Sequence, residues 1–259
     1  MITYNKQLVK NEQEIAKMGA AGSLNALALE EVKKLIRPGV TTKELDEAAE
    51  TVIRDHGGIP TFKGYPGPYP YPATLTISIN EEMVHGIPSG RVLKEGDIVS
   101  VDCGTTLDGF IGDSAFTVGV GEIGAEEERL IETTRDSLYK GIDQMRPGKH
   151  IGDVGAAIQQ HVESAGFYVP RQYTGHGVGR EMHEPPQVPN YGVPGQGMRL
   201  REGLTIAIEP MVLVGTPNTM VLPDQWTVIS ADHSLTAHYE HTVAVTSNGP
   251  LILTQCQER

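Results

Sequence analysis

Five short segments of this chain each carry a side chain that can bind a metal ion. They lie at residues 101–104, 112–115, 175–179, 208–211 and 239–242, on stretches that are strand-like or rich in glycine. Four carboxylates and one imidazole are the donors that a pair of divalent cations needs, because carboxylates can bridge two ions. The sequence therefore predicts a two-metal site, whose candidate ligands are Asp102, Asp113, His176, Glu209 and Glu240.

The segments that must position these ligands alternate between helical and strand-like patterns. Apolar residues recur at helical spacing over residues 11–36, from Thr42 onward and over residues 125–145. Strands are predicted at residues 74–80, 98–101, 115–118, 204–209 and 239–246. The run of prolines and tyrosines at residues 64–72 cannot form regular structure. Ligands near strand ends are held on rigid backbone, as a two-ion site requires.

The chain repeats part of its own pattern. An Ile-Arg-Pro-Gly sequence at residues 36–39 recurs as Met-Arg-Pro-Gly at residues 145–148, each time after a predicted helix, and five positions that follow recur 109 residues later. We predict a single catalytic domain over residues 1–259 with an internal repeat at approximately 11–120 and 121–253. Chance similarity between two helix–loop–helix segments is the alternative. Because the two aspartates fall in the first half and the other three ligands in the second, the site is expected where the halves meet.

Composition excludes several classes of function. The 259 residues carry a net charge of -12, which argues against nucleic acid or an anionic membrane as the main partner. No run of 18 apolar residues exists, so no membrane span is expected. The start of the chain has no signal-peptide pattern and soon becomes helical, so we expect no separate N-terminal domain. Two distant cysteines, Cys103 and Cys256, make no disulfide framework, so we expect a cytoplasmic protein. Nothing in the sequence marks an obligate interface, so we also expect a monomer.

The motifs together resemble those of the type I methionine aminopeptidases. The resemblance covers roughly residues 11–253, and it implies an α+β fold, the pita-bread fold, with two pseudo-symmetric α+β halves around a central antiparallel sheet. Proline-specific aminopeptidases and creatinase share that fold. The matching residues lie at 80–88, 101–102, 113, 175–179, 182–186, 208–210 and 239–242.

The resemblance also implies how the ligands divide two divalent ions between them. Asp102 would chelate one ion, while His176 and Glu209 would bind the other. Asp113 and Glu240 would bridge both ions. An oxygen-rich site with one imidazole suits Co, Mn, Fe(II) or Zn, and the native metal is left open. A monovalent cation near Asn80 and Thr236 is a weaker expectation from the same resemblance.

Substrate contacts follow from the resemblance as well. His183 would donate a hydrogen bond to the scissile carbonyl and its developing oxyanion. His85 would contact the scissile amide nitrogen or the next residue, and Glu209 would also act as the general base. A small apolar pocket for the methionine side chain is expected, with Met182 and Trp226 as the favoured members of a set that comprises Phe62, Tyr65, Tyr71, Thr76, Met182 and Trp226.

Three departures from the family pattern are visible. The loop at residues 66–70 is longer than the family's usual stretch, which bears on the assignment of Tyr71. Met182 stands where an aromatic residue is common, and His238 stands where the family usually has glutamine. A titratable histidine beside the metals is expected to steepen the acid limb of the pH–rate profile.

The implied activity is removal of the initiator methionine from nascent chains when the second residue is small. Nascent polypeptide N-termini are therefore the expected partner, and the ribosome is a further candidate without a motif of its own. Two alternatives stay open: an Xaa-Pro aminopeptidase or prolidase-type hydrolase, and a catalytically inactive binding protein on the same fold.

Overall fold

The computed structural model describes residues 8–255. The N-terminal residues that were inspected for a signal peptide and Cys256 lie outside this range. Four helices are present in it, and capping residues define two of their starts: the side chains of Asn11 and Thr41 accept from the third residue of the helix that follows, and a glutamate returns the bond. The helices are α1 (Glu12–Leu35), α2 (Thr42–Asp55), α3 (Ala125–Ile142) and α4 (Ile151–Ser164).

The strands are mostly short, with one long hairpin. They are β1 (Ile59–Pro60), β2 (Leu75–Ile79), β3 (Glu82–Val84), β4 (Ile98–Leu107), β5 (Phe110–Gly119), β6 (Thr174–Gly177), β7 (Glu184–Pro189), β8 (Thr205–Ile208), β9 (Met211–Leu213), β10 (Thr219–Val221), β11 (Val228–Ser230), β12 (Thr236–His238), β13 (Glu240–Thr246) and β14 (Gly249–Ile252).

The main sheet is antiparallel and contains nine strands. Its path is β1-β4-β5-β13-β8-β6-β7, with β2 beside β4 and β14 beside β13. A three-stranded sheet, β10-β11-β3, and the pair β12-β9 lie beside it. Since β4 and β5 come from the first predicted half and β13, β8 and β6 from the second, the sheet joins the two halves.

One face of the main sheet packs against α1. Asn25 of α1 is fully buried and donates to the carbonyls of Cys103 and Gly112, while its carbonyl accepts from the hydroxyl of Ser114 at 2.5 Å. A Cβ at Gly112 would lie 2.5 Å from the Cα of Gly22, so both glycines let the helix approach the strand closely. The opposite face of β4 and β5 is therefore the one that is free to carry a site.

The two halves are pseudo-symmetric at the level of individual contacts. Gly39 and Gly148, the glycines of the repeated motif, have φ angles of 93° and 94°, which favour glycine. The amide of Gly39 donates to the carbonyl of Leu93 at 2.9 Å, and that of Gly148 donates to the carbonyl of Leu200 at 3.0 Å. The exact boundaries of the repeat stay a prediction, and so does the assignment of the whole chain to a single catalytic domain.

Several predicted elements have different limits in the structure. The strand that was predicted at residues 98–101 extends to Leu107, because its hairpin with β5 keeps both strands paired along their whole length. The helix α3 ends at Ile142 and not at Met145, since the amides of Gln144 and Met145 bond to carbonyls three residues back in a tightened turn. None of the described helices combines the length and the apolar composition that crossing a bilayer requires.

Candidate active site

Strand register brings the first pair of predicted ligands together. Asp102 of β4 and Glu240 of β13 both stand opposite Ala115 of β5, one on each side. Residues directly opposite each other in an antiparallel sheet point to the same face. Glu209 follows the end of β8, one residue after Ile208, which is paired with His241. The three carboxylates therefore approach one another across a residue whose side chain is only a methyl group.

A neighbouring row of the sheet holds the other two ligands. His176 of β6 stands opposite Ala207, which in turn stands opposite Thr242 of β13. The hydroxyl of Thr242 accepts from the amide of Asp113 at 3.0 Å and donates to its carbonyl at 2.9 Å. Asp113 precedes Ala115 by two residues, so it faces the same side. All five predicted ligands thus converge on the face opposite α1.

The distances between ligand atoms suit a shared cation. Nε2 of His176 lies 3.5 Å from Oδ2 of Asp113 and 3.5 Å from Oε1 of Glu209. One ligand atom from each of Asp113, His176 and Glu240 lies within 4.8 Å of the other two. Since ligand bonds to zinc-like ions are about 2.0–2.2 Å long, an ion between such atoms can reach all three.

The carboxylates lack the partners that buried charges need. Among the described residues, one oxygen each of Asp102, Asp113 and Glu240 is buried without a hydrogen-bond partner. Burying an ionised carboxylate is costly unless a charge or hydrogen bond compensates it. Divalent cations supply that compensation, so the donor set and its orphaned oxygens fit metal ions.

The shifted pKa values reflect the close packing of acidic side chains on this face of the sheet. Burial, together with the neighbouring carboxylates, raises the pKa of Asp102 and that of Glu240 well above their ordinary values. Burial raises the pKa of Glu209 to about 8, although His176 opposes it. Burial lowers the pKa of His176, but the carboxylates of Asp113 and Glu209 outweigh it and raise that pKa to about 9. Four carboxylates this close favour protons or cations as partners.

The ligands form one end of a cavity of about 140 Å³. Every residue that was predicted to bind the divalent ions or the substrate lines it, and within residues 8–255 its lining contains no others. The lining comprises Phe62, Tyr65, Tyr71, Thr76, His85, Asp102, Asp113, His176, Met182, His183, Glu209, Trp226 and Glu240. The structure therefore brings all thirteen together, while their individual roles stay predictions.

Two histidines flank the ligands. The ring of His183 lies 4.3 Å from that of His176, centroid to centroid, and His85 has a φ of 64° directly after β3. Burial lowers the pKa of His85 to about 4, with a smaller contribution from His183, and burial together with His176 lowers the pKa of His183 to about 4. Both rings are therefore neutral at pH 7, and each can donate one N–H.

Aromatic rings also line the cavity. The rings of Tyr71 and Trp226 meet edge to face at 5.1 Å, and a Cβ at Gly67 would lie 2.4 Å from the Trp226 ring. The Tyr71 hydroxyl donates toward the carbonyls of Leu75 and Gly86, at 3.0 and 2.9 Å. The long loop therefore folds back onto the cavity and places Tyr71 in its wall.

The expectation that His238 titrates on the acid limb is wrong for this geometry. Nε2 of His238 lies 3.8 Å from Oε2 of Glu209 and 4.0 Å from Oε2 of Glu240, so the ring is beside the ligands as expected. Burial, with a smaller contribution from His85, lowers its pKa to about 3. The imidazole is consequently neutral at any pH well above 3.

Other residues that support the site were not singled out from the sequence. The side-chain amide of Asn190 donates to the carbonyl of Glu209 at 2.9 Å, and Lys10 forms a buried ion pair with Glu184, next to His183. Neither residue lies in a motif, so only their neighbours in space reveal them. Asn80 and Thr236 do meet, since the amide of Thr236 donates to the carbonyl of Asn80 at 2.9 Å. A cation at that point stays a prediction.

Comparison with known proteins identifies the class to which this fold and site belong. The profile of metallopeptidase family M24 matches residues 16–247. The chain belongs to that family, whose use of divalent metal agrees with the buried Asp, His and Glu cluster.

Individual relatives show which group within family M24 the chain belongs to. Methionine aminopeptidase 1 of Bacillus subtilis is 48% identical over 248 residues, which are 96% of this chain and 99% of the relative. The methionine aminopeptidase of Clostridium acetobutylicum is 50% identical over 251 residues, 96% and 99% of the two chains. Within family M24 the chain is therefore a type I methionine aminopeptidase by sequence.

Solved structures agree with this. The methionine aminopeptidase of Thermotoga maritima superimposes with a TM-score of 0.93 at 48% identity, over 95% of this chain and 98% of that one. The prolidase of Pyrococcus furiosus superimposes with a TM-score of 0.78 at 22% identity, over 97% of this chain and 66% of that one. The second likeness shows that the pita-bread fold is shared and nothing more.

Proposed function

We propose that this protein removes the N-terminal initiator methionine from nascent polypeptides whose second residue is small. The supporting observation is the cavity itself, whose lining combines the carboxylates and His176 with the rings of Tyr71 and Trp226. Such a cavity accommodates one unbranched apolar side chain and places the following peptide bond beside the ligands. The high identity to methionine aminopeptidases favours this substrate over Xaa-Pro peptides.

Two divalent cations are proposed to bind per chain, held by Asp102, Asp113, His176, Glu209 and Glu240. Bound there, they supply Lewis-acid chemistry, which polarises a carbonyl and makes water a nucleophile at neutral pH. The family resemblance implies that Asp113 and Glu240 would be ligands common to both ions. Each of them, like Asp102, has a buried oxygen without a hydrogen-bond partner among residues 8–255, which a bound cation would satisfy. Co, Mn, Fe(II) and Zn are the candidates, since oxygen-rich donors with one imidazole suit all of them.

The remaining residues act on the substrate and on protons. Glu209 would accept the proton of the attacking water, since its carboxylate lines the cavity and lies 3.5 Å from Nε2 of His176. His183 donates its N–H to the scissile carbonyl and then to the developing oxyanion. His85 contacts the scissile amide nitrogen or the next residue from the Trp226 side, where the two rings are 6.4 Å apart.

The first test is an assay of the chelator-treated protein on Met-Ala-Ser and Ala-Pro-Ala, with Mn, Fe(II), Co or Zn added back. Metal-dependent release of methionine alone is expected. Release of alanine ahead of proline would favour the Xaa-Pro alternative, and no release with any metal would favour an inactive binding protein. Calorimetric titration of the same metals tests the stoichiometry of two ions per chain.

A second test addresses the histidines. His183→Ala should lower kcat by about 100- to 1,000-fold, the loss expected for one oxyanion donor, while metal content stays unchanged. An unchanged kcat would contradict the role of His183. Association with the ribosome, a cytoplasmic location and a monomeric state stay predictions of the sequence.

A further inference from the structure

The hydroxyl of Tyr65 and the ring of His183 form a short hydrogen bond at the edge of the cavity. Oη of Tyr65 lies 2.6 Å from Nδ1 of His183. The two rings also meet edge to face, with centroids 5.3 Å apart and planes inclined by 67°. Tyr65 is therefore placed to act on His183 and does more than line the pocket.

The backbone around Tyr65 holds its side chain in place. The amide of Tyr65 donates to the carbonyl of Phe62 at 2.8 Å, and its own carbonyl accepts from the amide of Tyr71 at 3.0 Å. The amide of Gly64 donates to the carbonyl of Tyr71 at 2.8 Å, which closes the loop into a small ladder. A hydrogen bond from so constrained a residue costs little further conformational entropy.

The turn at residues 180–184 fixes the backbone of His183. Oε1 of Glu184 accepts from the amides of Arg180 and Glu181, at 2.8 and 3.3 Å, and its other oxygen pairs with the buried Lys10. These contacts fix the backbone, but they leave open which ring nitrogen carries the proton. Among residues 8–255, Nδ1 has Tyr65 as its partner and Nε2 has none. Because His183 lines the cavity, Nε2 is the nitrogen available to a substrate.

The tautomer follows if the Tyr65 hydroxyl is the donor in this hydrogen bond, which is the direction that its surroundings favour. Burial, with a smaller contribution from Glu181, raises the pKa of the Tyr65 phenol, so its proton is present at pH 7. Among the described residues, the hydroxyl has no acceptor other than Nδ1 of His183. A neutral imidazole that accepts at Nδ1 carries its proton on Nε2.

We infer that Tyr65 is a positioning residue, which holds His183 as the Nε2–H tautomer and so presents a donor to the scissile carbonyl. This inference rests on the proposed function, in which His183 donates to that carbonyl. Without the phenol, the imidazole is free to place its proton on Nδ1, and Nε2 then presents a lone pair to an oxyanion. A wrongly placed proton disables a catalytic imidazole even when its position is unchanged.

The test is Tyr65→Phe, which keeps the aromatic ring and removes only the hydroxyl. We expect kcat on Met-Ala-Ser to fall by about 10-fold or more, while KM changes by less than about 3-fold, because the lost interaction acts in the transition state. Nitrogen-15 spectra of the zinc-loaded, histidine-labelled protein report the tautomer directly. His183 should be protonated at Nε2 in the parent protein, and Nδ1–H should appear in Tyr65→Phe, with His183→Ala used to assign the signal.

Tyr69→Phe is the matched control. Its hydroxyl belongs to the same loop but donates to the carbonyl of Asp224 at 2.9 Å, away from His183. This variant should keep both the parent kcat and the Nε2–H tautomer. The inference is overturned if Tyr65→Phe retains the Nε2–H tautomer, or if its loss appears in KM alone. The tautomer can be read even if no peptide is cleaved, so failure of the proposed function is distinguishable from failure of this inference.

Discussion

Asp102 and Glu240 lie opposite the same residue, Ala115, on the two strands that flank β5. The two carboxylates are far apart in sequence, and only the pairing of three strands places them in one row. Ala115 lies between them in the row and is buried. A small residue therefore separates the two carboxylates in the sheet.

Enlarging Ala115 should weaken metal binding. We expect Ala115→Val to lower the affinity for divalent metal by at least about 10-fold, because its added methyl groups intrude between the ligands that need to converge. Calorimetric metal titration measures this. Phe116→Leu is the control, since Phe116 faces α1, where Lys33 lies over its ring. Equal affinity in Ala115→Val and the parent protein would show that the row does not define the site.

Metal removal should make stability depend on pH in a defined direction. Burial raises the pKa of Glu209 from an ordinary 4.5 to about 8, so this carboxyl binds its proton more tightly in the folded chain. Its contribution to stability is present below pH 4.5 and is lost as the pH rises through 8. His176, with a pKa raised from 6.5 to about 9, acts in the same direction. The melting temperature of chelated protein should therefore fall between pH 7 and pH 9. This range lies above the one in which the lowered pKa values of His85, His183 and His238 act in the opposite direction.

Saturating metal should abolish or reverse that trend, because cations stabilise the ionised carboxylates. Thermal unfolding in chelator and in excess Mn, at matched pH values, measures the difference. A chelated protein that becomes more stable from pH 7 to pH 9 would contradict the raised pKa values of Glu209 and His176.

The buried pair of Lys10 and Glu184 should stabilise the turn that carries His183. The side chains are 3% and 11% exposed, so removing one charge leaves the other buried without its partner. Lys10→Met should lower the free energy of unfolding by about 3 kcal/mol, as measured by urea denaturation. The double variant with Glu184→Gln should recover part of that loss.

A surface pair provides the comparison. Lys43 and Glu47 are 3.6 Å apart, with side chains 67% and 63% exposed, so Lys43→Ala should have little effect. If Lys10→Met were no more destabilising than Lys43→Ala, the buried pair would not be what fixes the turn.

Replacing His238 should leave the pH–rate profile in place. Because burial lowers the pKa of this histidine to about 3, its charge does not change over the acid limb of an enzyme that is active near neutrality. His238→Gln restores the residue usual in the family and should retain the parent acid-limb pKa. A shift of that limb, measured as kcat/KM against pH with saturating metal, would show that His238 titrates there.

Much of the site could be predicted because its signals are local. Short motifs around Asp102, His176 and Glu240 indicate the ligands by their residue types. Each motif lies on a strand or beside one. The second helix was predictable from the apolar spacing after Thr42, and Thr41 and Glu44 form its capping box. The limits of α3 and β4 were not predictable from the sequence, because a tightened turn and a long hairpin depend on the residues that pack around them.

The loop at residues 64–72 shows which features local sequence can predict and which depend on tertiary contacts. Its prolines exclude regular structure from sequence alone, but nothing local shows that Tyr65 reaches His183 or that Gly67 packs on Trp226. Those contacts join residues more than 100 positions apart. They exist because the rest of the fold brings the partners within reach.

The sequence by itself determined the donor set, the family resemblance and the acidic net charge of the chain, because these depend on residue identity and short spacing. Only the tertiary structure decided that Asp102 and Glu240 lie on either side of Ala115, that burial lowers the pKa of His238, and that Nδ1 of His183 meets Tyr65. The physical reason is that strand register, burial and side-chain orientation are set by contacts between distant segments. A shift of one residue in register would turn Asp102 or Glu240 to the other face of the sheet.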